Sequence, residues 1–514
     1  MIQLSKSEYM LYLKHPAWLW LKKHDKSKLP QVDAATQAIF DAGHLFEEYA
    51  EVRFDNITQI GFNNYNEYLN MPQRTTSALQ SGVGTIGQGR FVAAYDDAEI
   101  TCIVDIVEVV QGKELDLYEI KSSTSVKPDH IEDLAFQTVV LEAAGYKVRN
   151  ISVIYCNNSY VRRGELDKLA MSSQTDVTSR VRTKVGSAKN NISLALIVAQ
   201  SQTMPDPTPR RTKMSGLREW LGIYESLRPQ SEKYNIYKLC RASADQIGML
   251  EDIGVSKIAD IPDSFKLRSQ QKSQLAATRQ DSPVVNLEKI KKFMDKIVYP
   301  IYFLDYETLS SIVPPFDGLT PSQQLPFQYS LHIIKEPGAD LIHKEFLHTL
   351  DTDPTPGVLE ALKRDIGPQG TVLAWYDIFE KGRNELMAEL QPEYKDFTND
   401  LNGRMLDLMT PFAKGYYADK DFFGSASIKK VLPVIAPDLS YGDLDIQEGS
   451  SAQRLWMQSV YENVHSPIDK AKIMDDLRKY CELDTYAMVR IYEFLAALCN
   501  GQSSSDPSEQ LSLL

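Results

Sequence analysis

Cysteine is scarce in this chain of 514 residues: Cys102, Cys156, Cys240, Cys481 and Cys499 are scattered singly. None forms a C-x-x-C pair, which argues against a disulfide frame or a cysteine-held zinc, and for a reducing compartment. No run of about 18 apolar residues occurs, so no membrane span is expected. Positions 1–14 lack a basic stretch followed by an apolar one, so no secretory signal is expected and a cytoplasmic location follows. Glycine (26) and proline (25) are too few for a fibrous or low-complexity chain, and the 43% hydrophobic content is that of a globular protein. Positive charge is also short, with 56 Lys and Arg against 69 Asp and Glu, a net charge of −13. Proteins that coat nucleic acid replace its counterions with cations and are often basic. Here any phosphate contact has to come from local patches. Arg162-Arg163, Arg180/Arg182/Lys184 and Arg210, Arg211 and Lys213 are the candidates, each also readable as a solvated surface.

The length calls for two or three domains. Helical spacing is expected over 4–22, interrupted at Pro16, and over 34–54. A Gly-rich polar stretch at 82–89 leads into strands at 91–95, 100–110, 115–121 and 151–155, with a helix over 129–145 before the last. Residues 166–295 read as a helical, polar connecting region, with a Pro-rich loop at 201–209 and a turn at 249–262 resembling a helix–hairpin–helix, a shape that can hold phosphate on peptide N–H groups. A second α/β domain spans 296–500, with strands at 297–304, 328–334 and 371–375 and helices at 381–390, 427–432 and 473–498. The Ser-rich end, 501–514, reads as a disordered tail.

Two acidic constellations carry the chemistry. Asp305 and Glu307 follow an apolar strand, and residues i and i+2 of a strand share a face, so both can converge on one hard cation. Far downstream, Tyr480 and Asp484 stand at i and i+4 of a predicted helix and also share a face. Between them, Asp377 and Glu380 sit where a strand enters a helix and offer rival carboxylates. Upstream, Asp105 lies in an otherwise apolar strand, where a lone acid is costly to bury unless it is paired or bound to a cation. Glu119 and Lys121 flank Ile120 on the next strand and face one side.

The pattern Asp-x-Glu, a middle acid and Tyr-x-x-x-Asp resembles DnaQ-like 3′-to-5′ exonucleases of the DEDDy type, over roughly 297–498. This resemblance implies an RNase H-like fold and Mg²⁺ or Mn²⁺ held by Asp305, Glu307, Asp484 and Glu380, with Tyr480 orienting the attacking water. Glu380 stands where the family usually has Asp. The Asp105, Glu119-Ile120-Lys121 arrangement resembles PD-(D/E)xK nucleases of the RecB-like kind, over residues 1–165. That resemblance implies a restriction-endonuclease-like fold, Asp105 and Glu119 as metal ligands, Lys121 and Gln137 as catalytic groups, and His44 as a further ligand. RecB-like relatives often carry four cysteines around an iron–sulfur cluster. Here His15 stands at the early position and Cys240 has no companions, so no cluster is expected. Together the resemblances imply a two-nuclease chain acting on DNA, in repair or in defence against foreign DNA. An RNA-processing exonuclease, or a nucleic-acid-binding scaffold with inactive centres, remain the alternatives.

Overall fold

The computed structural model describes residues 2–228 and 232–501. The chain divides into two units, the first comprising Met1–Ser231, Ser243–Met249 and Ile312–Ser322, the second Glu232–Ala242, Leu250–Ser311 and Gln323–Leu514. The region expected to connect two domains, 166–295, is shared between these units. The expected tail lies, but for Gly501, outside the described residues.

The first unit opens with strand β1 (Gln3–Ser5), helix α1 (Lys6–Lys14) and helix α2 (Pro16–His24). Ser5 caps α1 in a reciprocal box with Glu8. His15 between the helices is extended, at φ −160°, because the residue before a proline is pushed out of the helical region. The interruption expected at Pro16 thus divides the stretch 4–22 into two helices. There follow α3 (Ala34–Ala50), β2 (Ile57–Gln59), α4 (Tyr65–Gln80), β3 (Thr85–Tyr95), β4 (Ala98–Gln111), β5 (Glu114–Lys121), α5 (Pro128–Ala143), β6 (Lys147–Cys156), β7 (Ser172–Asp176), α6 (Thr178–Gln200) and α7 (Leu217–Ser226). The strands form one mixed sheet in the order β2-β3-β4-β5-β6-β7, with β1 lying parallel beside β4.

The Gly-rich stretch at 82–89 is itself strand from Thr85 onward. Gly87 pairs with Gln59 of β2, and a Cβ on Gly87 would lie 2.3 Å from the Gln59 side chain. Glycine here serves close approach within a sheet rather than a turn. Leu117, Leu134, Phe136 and Val139 share one buried core, and Phe46, Ile106, Ile120 and Ile154 share another.

β4 shares one of its edges between two partners. β1 pairs with Glu99–Thr101 in register and β5 pairs from Ile106 onward. Asp105 falls where one partner has ended and the next has not begun.

Helix α8 (Ala244–Asp252) comes next, its residues divided between the units. The expected second arm of the helix–hairpin–helix is a single 3₁₀ turn, Ile258–Asp260. The preceding backbone is drawn into bonds with 234–236, Ile236 N–H donating to Ser256 and Ile258 N–H to Tyr234, which leaves no length for a helix. The second unit continues with α9 (Ser269–Gln280), β8 (Val284–Val285), α10 (Leu287–Met294), β9 (Ile301–Leu309), β10 (Leu325–Ile334), β11 (Ile342–Leu347), α11 (Thr355–Asp365), β12 (Thr371–Ala374), α12 (Asp377–Leu390), α13 (Lys395–Gly403), β13 (Met405–Asp407), α14 (Thr410–Ala413), β14 (Tyr417–Ala418), α15 (Ile428–Ile435), α16 (Gly449–Trp456) and α17 (Pro467–Cys499).

Its main sheet has the order β11-β10-β9-β12-β13, with β10 antiparallel to β9 and β12 parallel to it. β9 is thus central and begins directly after Pro300, which cannot donate to a ladder. Both faces of β9 are covered. Ile301 and Phe303 pack with Met488, Ile491 and Leu495 of α17, while Tyr302, Leu304 and Tyr306 pack with Val358 and Leu362 of α11 and Met387 of α12. Burial on both sides explains why β9 reads as a continuous apolar run. Among the described residues no helix is long and apolar enough to cross a membrane.

Candidate functional site

In the second unit the acidic residues read from opposite ends of the domain meet. Asp305 and Glu307 lie inside β9 rather than after it, on the face that also carries Ile301 and Phe303. Across the ladder, Ser330 and Gln328 of β10 stand opposite them. α17, started by Ser466 accepting from Asp469 N–H with Pro467 in its first turn, runs for 33 residues and brings Tyr480, Cys481 and Asp484 onto this face. One carboxylate oxygen from each of Asp305, Glu307 and Asp484 lies within 4.8 Å of the others.

Three acids this close, with Glu307 and Asp484 buried, do not ionise freely. Burial and then the Asp484 charge push Glu307 up to about 8, against a weaker pull from Lys429. Burial lifts Asp484 to about 6, opposed by the hydroxyl of Tyr441, by Lys429 and by Tyr480. Asp305 is raised by burial and by Asp484, Glu307 and Glu380. Glu380, in the first turn of α12, is buried and raised to about 8 by desolvation, with Asp377 and Asp407 adding to it. It is not one of the three, contrary to the expectation that it shares their ion, and its Oε2 is buried with no hydrogen-bond partner among the described residues. The rival Asp377 is held by Lys381 one turn on.

Tyr480 is 4% exposed, and burial followed by the three nearby acids drives its phenol far above its ordinary value. It stays protonated and can orient a neighbour, but it cannot act as a base. Two groups that the sequence reading did not single out complete the surroundings. Tyr441, on a 3₁₀ turn, donates to Asp484 Oδ1 at 2.5 Å. Lys429 of α15 places Nζ 5.3 Å from the Tyr441 ring centroid and 5.5 Å from that of Tyr480. The Tyr441→Phe variant is expected to lose about 1.5–3 kcal/mol at pH 8, the scale of a hydrogen bond to a charged group. Most of that loss should vanish at pH 5, where Asp484 is protonated. Urea melts of wild type and variant at the two pH values measure it.

The first unit gathers a different set. Beyond the fork in β4, the Ile120 amide, having left the β4 ladder, donates to Asp105 Oδ2 at 2.8 Å. Glu119 is fully buried, accepting from Lys6 Nζ at 3.0 Å, from Lys121, and from Gln137 Nε2 at 2.6 Å. Gln137 also donates to Asp133 at 2.8 Å, while its own Oε1 is buried without a partner among the described residues. Both lysines lie within 3.5 Å of Asp133. Burial would raise Glu119, but Lys121, Lys6 and Gln137 outweigh it and hold the acid well below its usual range. Asp105, without a lysine in direct contact, is raised by burial and by Glu119 to about 7.

His44 does not join this cluster. It is exposed on α3, and its neighbour one turn on, Glu47, faces inward and feels the charges of Glu119 and Lys121. Lys6, Asp133 and Glu47 are therefore cluster members that the sequence reading passed over. Lys6→Met leaves Glu119 and Asp133 with one lysine between them. Removing one partner from a buried ion cluster costs about 3–5 kcal/mol, and a denaturant melt of the variant should show a loss on that scale.

The cationic candidates are mostly engaged. Arg210 donates to the Gly248 carbonyl, Arg211 pairs with Asp206 at 3.0 Å, and Lys213 lies over the Tyr12 ring. Arg162 ties residues 162–164 to the 314–317 segment of the same unit through the carbonyls of Pro314 and Pro315. Arg182 and Lys184 pair with Glu142 and Glu132. His15 is buried and stacked on Trp220, with centroids 3.9 Å apart, and Cys240 is buried in the second unit.

Comparison with known proteins adds a family model described as a domain of unknown function, DUF2779, matching residues 302–427. That span includes Asp305, Glu307 and Glu380 and ends before Lys429, Tyr480 and Asp484. Two curated relatives are uncharacterised proteins of Mycoplasma pneumoniae and Mycoplasma genitalium. The first is 28% identical over 231 residues, 42% of this chain and 35% of its own length. The second is 28% identical over 228 residues, 41% of this chain and 34% of its own length. This chain thus matches about a third of the length of each.

Proposed function

We propose that the chain is a metal-dependent phosphodiester hydrolase acting on DNA, with a DnaQ-like 3′-to-5′ exonuclease centre in the second unit and a RecB-like PD-(D/E)xK centre in the first. The observation that carries this reading is the convergence of Asp305, Glu307 and Asp484 within 4.8 Å. The three crowded carboxylates offer only oxygen donors, and oxygen-only donor sets suit Mg²⁺ or Mn²⁺. The unpartnered Oε2 of Glu380 is likewise an oxygen donor. Asp305, Glu307 and Asp484 would hold the ions. Bound there, divalent ions would supply Lewis-acid stabilisation of the phosphate and a water of lowered pKa. Tyr480, fixed as a neutral phenol, would orient the attacking water, and Lys429 would offset charge gathering on the phosphate.

One observation favours a second reading of the first unit, as a module that grips nucleic acid without cutting it. Lys6 and Lys121 already neutralise Glu119 and Asp133. The test of both readings is purified protein with end-labelled single- and double-stranded DNA and RNA, in Mn²⁺ and in EDTA. Asp305→Ala is expected to abolish 3′ trimming and Lys121→Ala to abolish only a cut assigned to the first unit. Faster digestion of RNA would move the substrate class, and activity that survives EDTA would end the proposal.

A further inference from the structure

A second group of metal-binding side chains lies on the β10–β11 side of the same sheet, outside the carboxylate trio. His332 of β10 and His343 of β11 are cross-strand partners whose rings stack at 4.6 Å and 28°. Glu482 of α17 comes over them, and one ligand atom from each of the three lies within 4.8 Å of the others. His332 is buried, His343 half-buried and Glu482 exposed, so the group opens to solvent on one side.

The hydrogen bonds around the rings fix which nitrogens are free. Thr485 Oγ1 donates its proton to the Glu482 carbonyl at 3.1 Å. It can therefore only accept from its other two neighbours, His332 Nδ1 at 2.8 Å and Ser330 Oγ at 2.7 Å. With its proton given to Thr485, Ser330 in turn accepts from His343 Nε2 at 2.9 Å. As neutral rings, both imidazoles thus donate outward through one nitrogen and keep a lone pair on the other, His332 Nε2 and His343 Nδ1. His343 Nδ1 faces Glu482 Oε1 at 3.7 Å, and a proton or a metal ion between them would satisfy both. Metal-binding histidines are held in this way, with the far N–H anchored to a fixed acceptor.

We propose that His332, His343 and Glu482 form a second metal site, taking a borderline transition ion of the Zn²⁺ class through His332 Nε2, His343 Nδ1 and a Glu482 oxygen. Two imidazoles and one carboxylate suit Zn²⁺, whereas the all-oxygen trio suits Mg²⁺ or Mn²⁺. The two sites therefore select different ions, and this assignment stands whether or not the chain is a nuclease.

The test is zinc retention by the full chain in excess Mg²⁺, which fills the hard oxygen site. Zinc is read by elemental analysis after gel filtration, and Co²⁺ substitution is read by its visible spectrum. A single retained zinc is expected. His343→Ala and Glu482→Gln should weaken it by more than about 100-fold, and Ser330→Ala by about 10–100-fold, the usual effect of losing an outer-shell partner. Asp305→Asn should retain zinc as wild type does. Far-UV circular dichroism checks that each variant is folded, and Glu482→Gln, at an exposed position, keeps the test open should a histidine variant misfold. No zinc on the wild type, wild-type affinity in His343→Ala and Glu482→Gln, or loss of zinc in Asp305→Asn would each overturn the assignment.

Discussion

Asp305→Asn is expected to cut Mn²⁺-dependent 3′ trimming by on the order of 10³-fold, as for the loss of one electrostatic stabiliser of a transition state, while raising the melting temperature of the metal-free protein. The two effects run in opposite directions for one reason. The carboxyl that would hold an ion during turnover is, without the ion, one of several acids crowded together, raised by burial and by Asp484, Glu307 and Glu380. Asparagine has nearly the same shape and no charge. Relief of about 1 kcal/mol corresponds to roughly 2–4 °C in a domain of this size. Activity by end-labelled DNA assay and melting in EDTA should therefore separate. A variant that loses activity and also melts lower would mean that Asp305 serves the fold, and the carboxylate centre would lose its assignment.

In EDTA the second unit should lose stability as pH rises from about 4 to about 8, and Mn²⁺ should restore it. The sign follows from the direction of the shifts. Asp484 is raised from 3.8 to about 6, and Glu307 and Glu380 from 4.5 to about 8. The folded state therefore binds more protons than the unfolded one over this window. Stability is full below the unfolded values, falls as pH rises above them, and is lost once pH has passed the folded transitions of Asp484 and then of Glu307 and Glu380. Each acid contributes a slope of at most about 1.4 kcal/mol per pH unit. Ion binding works against this, adding about 2.7 kcal/mol at a hundredfold excess over Kd. Hydrogen exchange of the β9 amides at pH 5 and pH 8, with and without Mn²⁺, localises the effect. Protection unchanged with pH in EDTA would contradict it.

What could be read from the sequence was what has a period. Asp305 and Glu307 are two apart on a strand, Tyr480 and Asp484 four apart on a helix, and each pair shares a face in the structure because backbone geometry imposes it. The alternation of Glu119 and Lys121 about Ile120 was legible for the same reason. Tyr441 carries no such mark. It lies on a one-turn 3₁₀ segment, and its bond to Asp484 spans 43 positions. Lys6 reaches Glu119 across 113 positions because β1 docks beside β4, a pairing that its three residues do not announce. β11 escaped notice because Ile342-His343-Lys344-Glu345 has no apolar rhythm, as befits an edge strand, and with it went the pairing of His332 with His343. His44 is the converse case. The helix was read correctly, but its inward face carries Glu47 instead.

Because β9 is flanked by strands on both sides and covered by helices on both faces, Asp305 and Glu307 are seated in the least deformable part of their unit. A reaction centre anchored there would have little freedom to reshape itself around one sequence or another. Any preference among substrates would then have to be written in the loops at its rim.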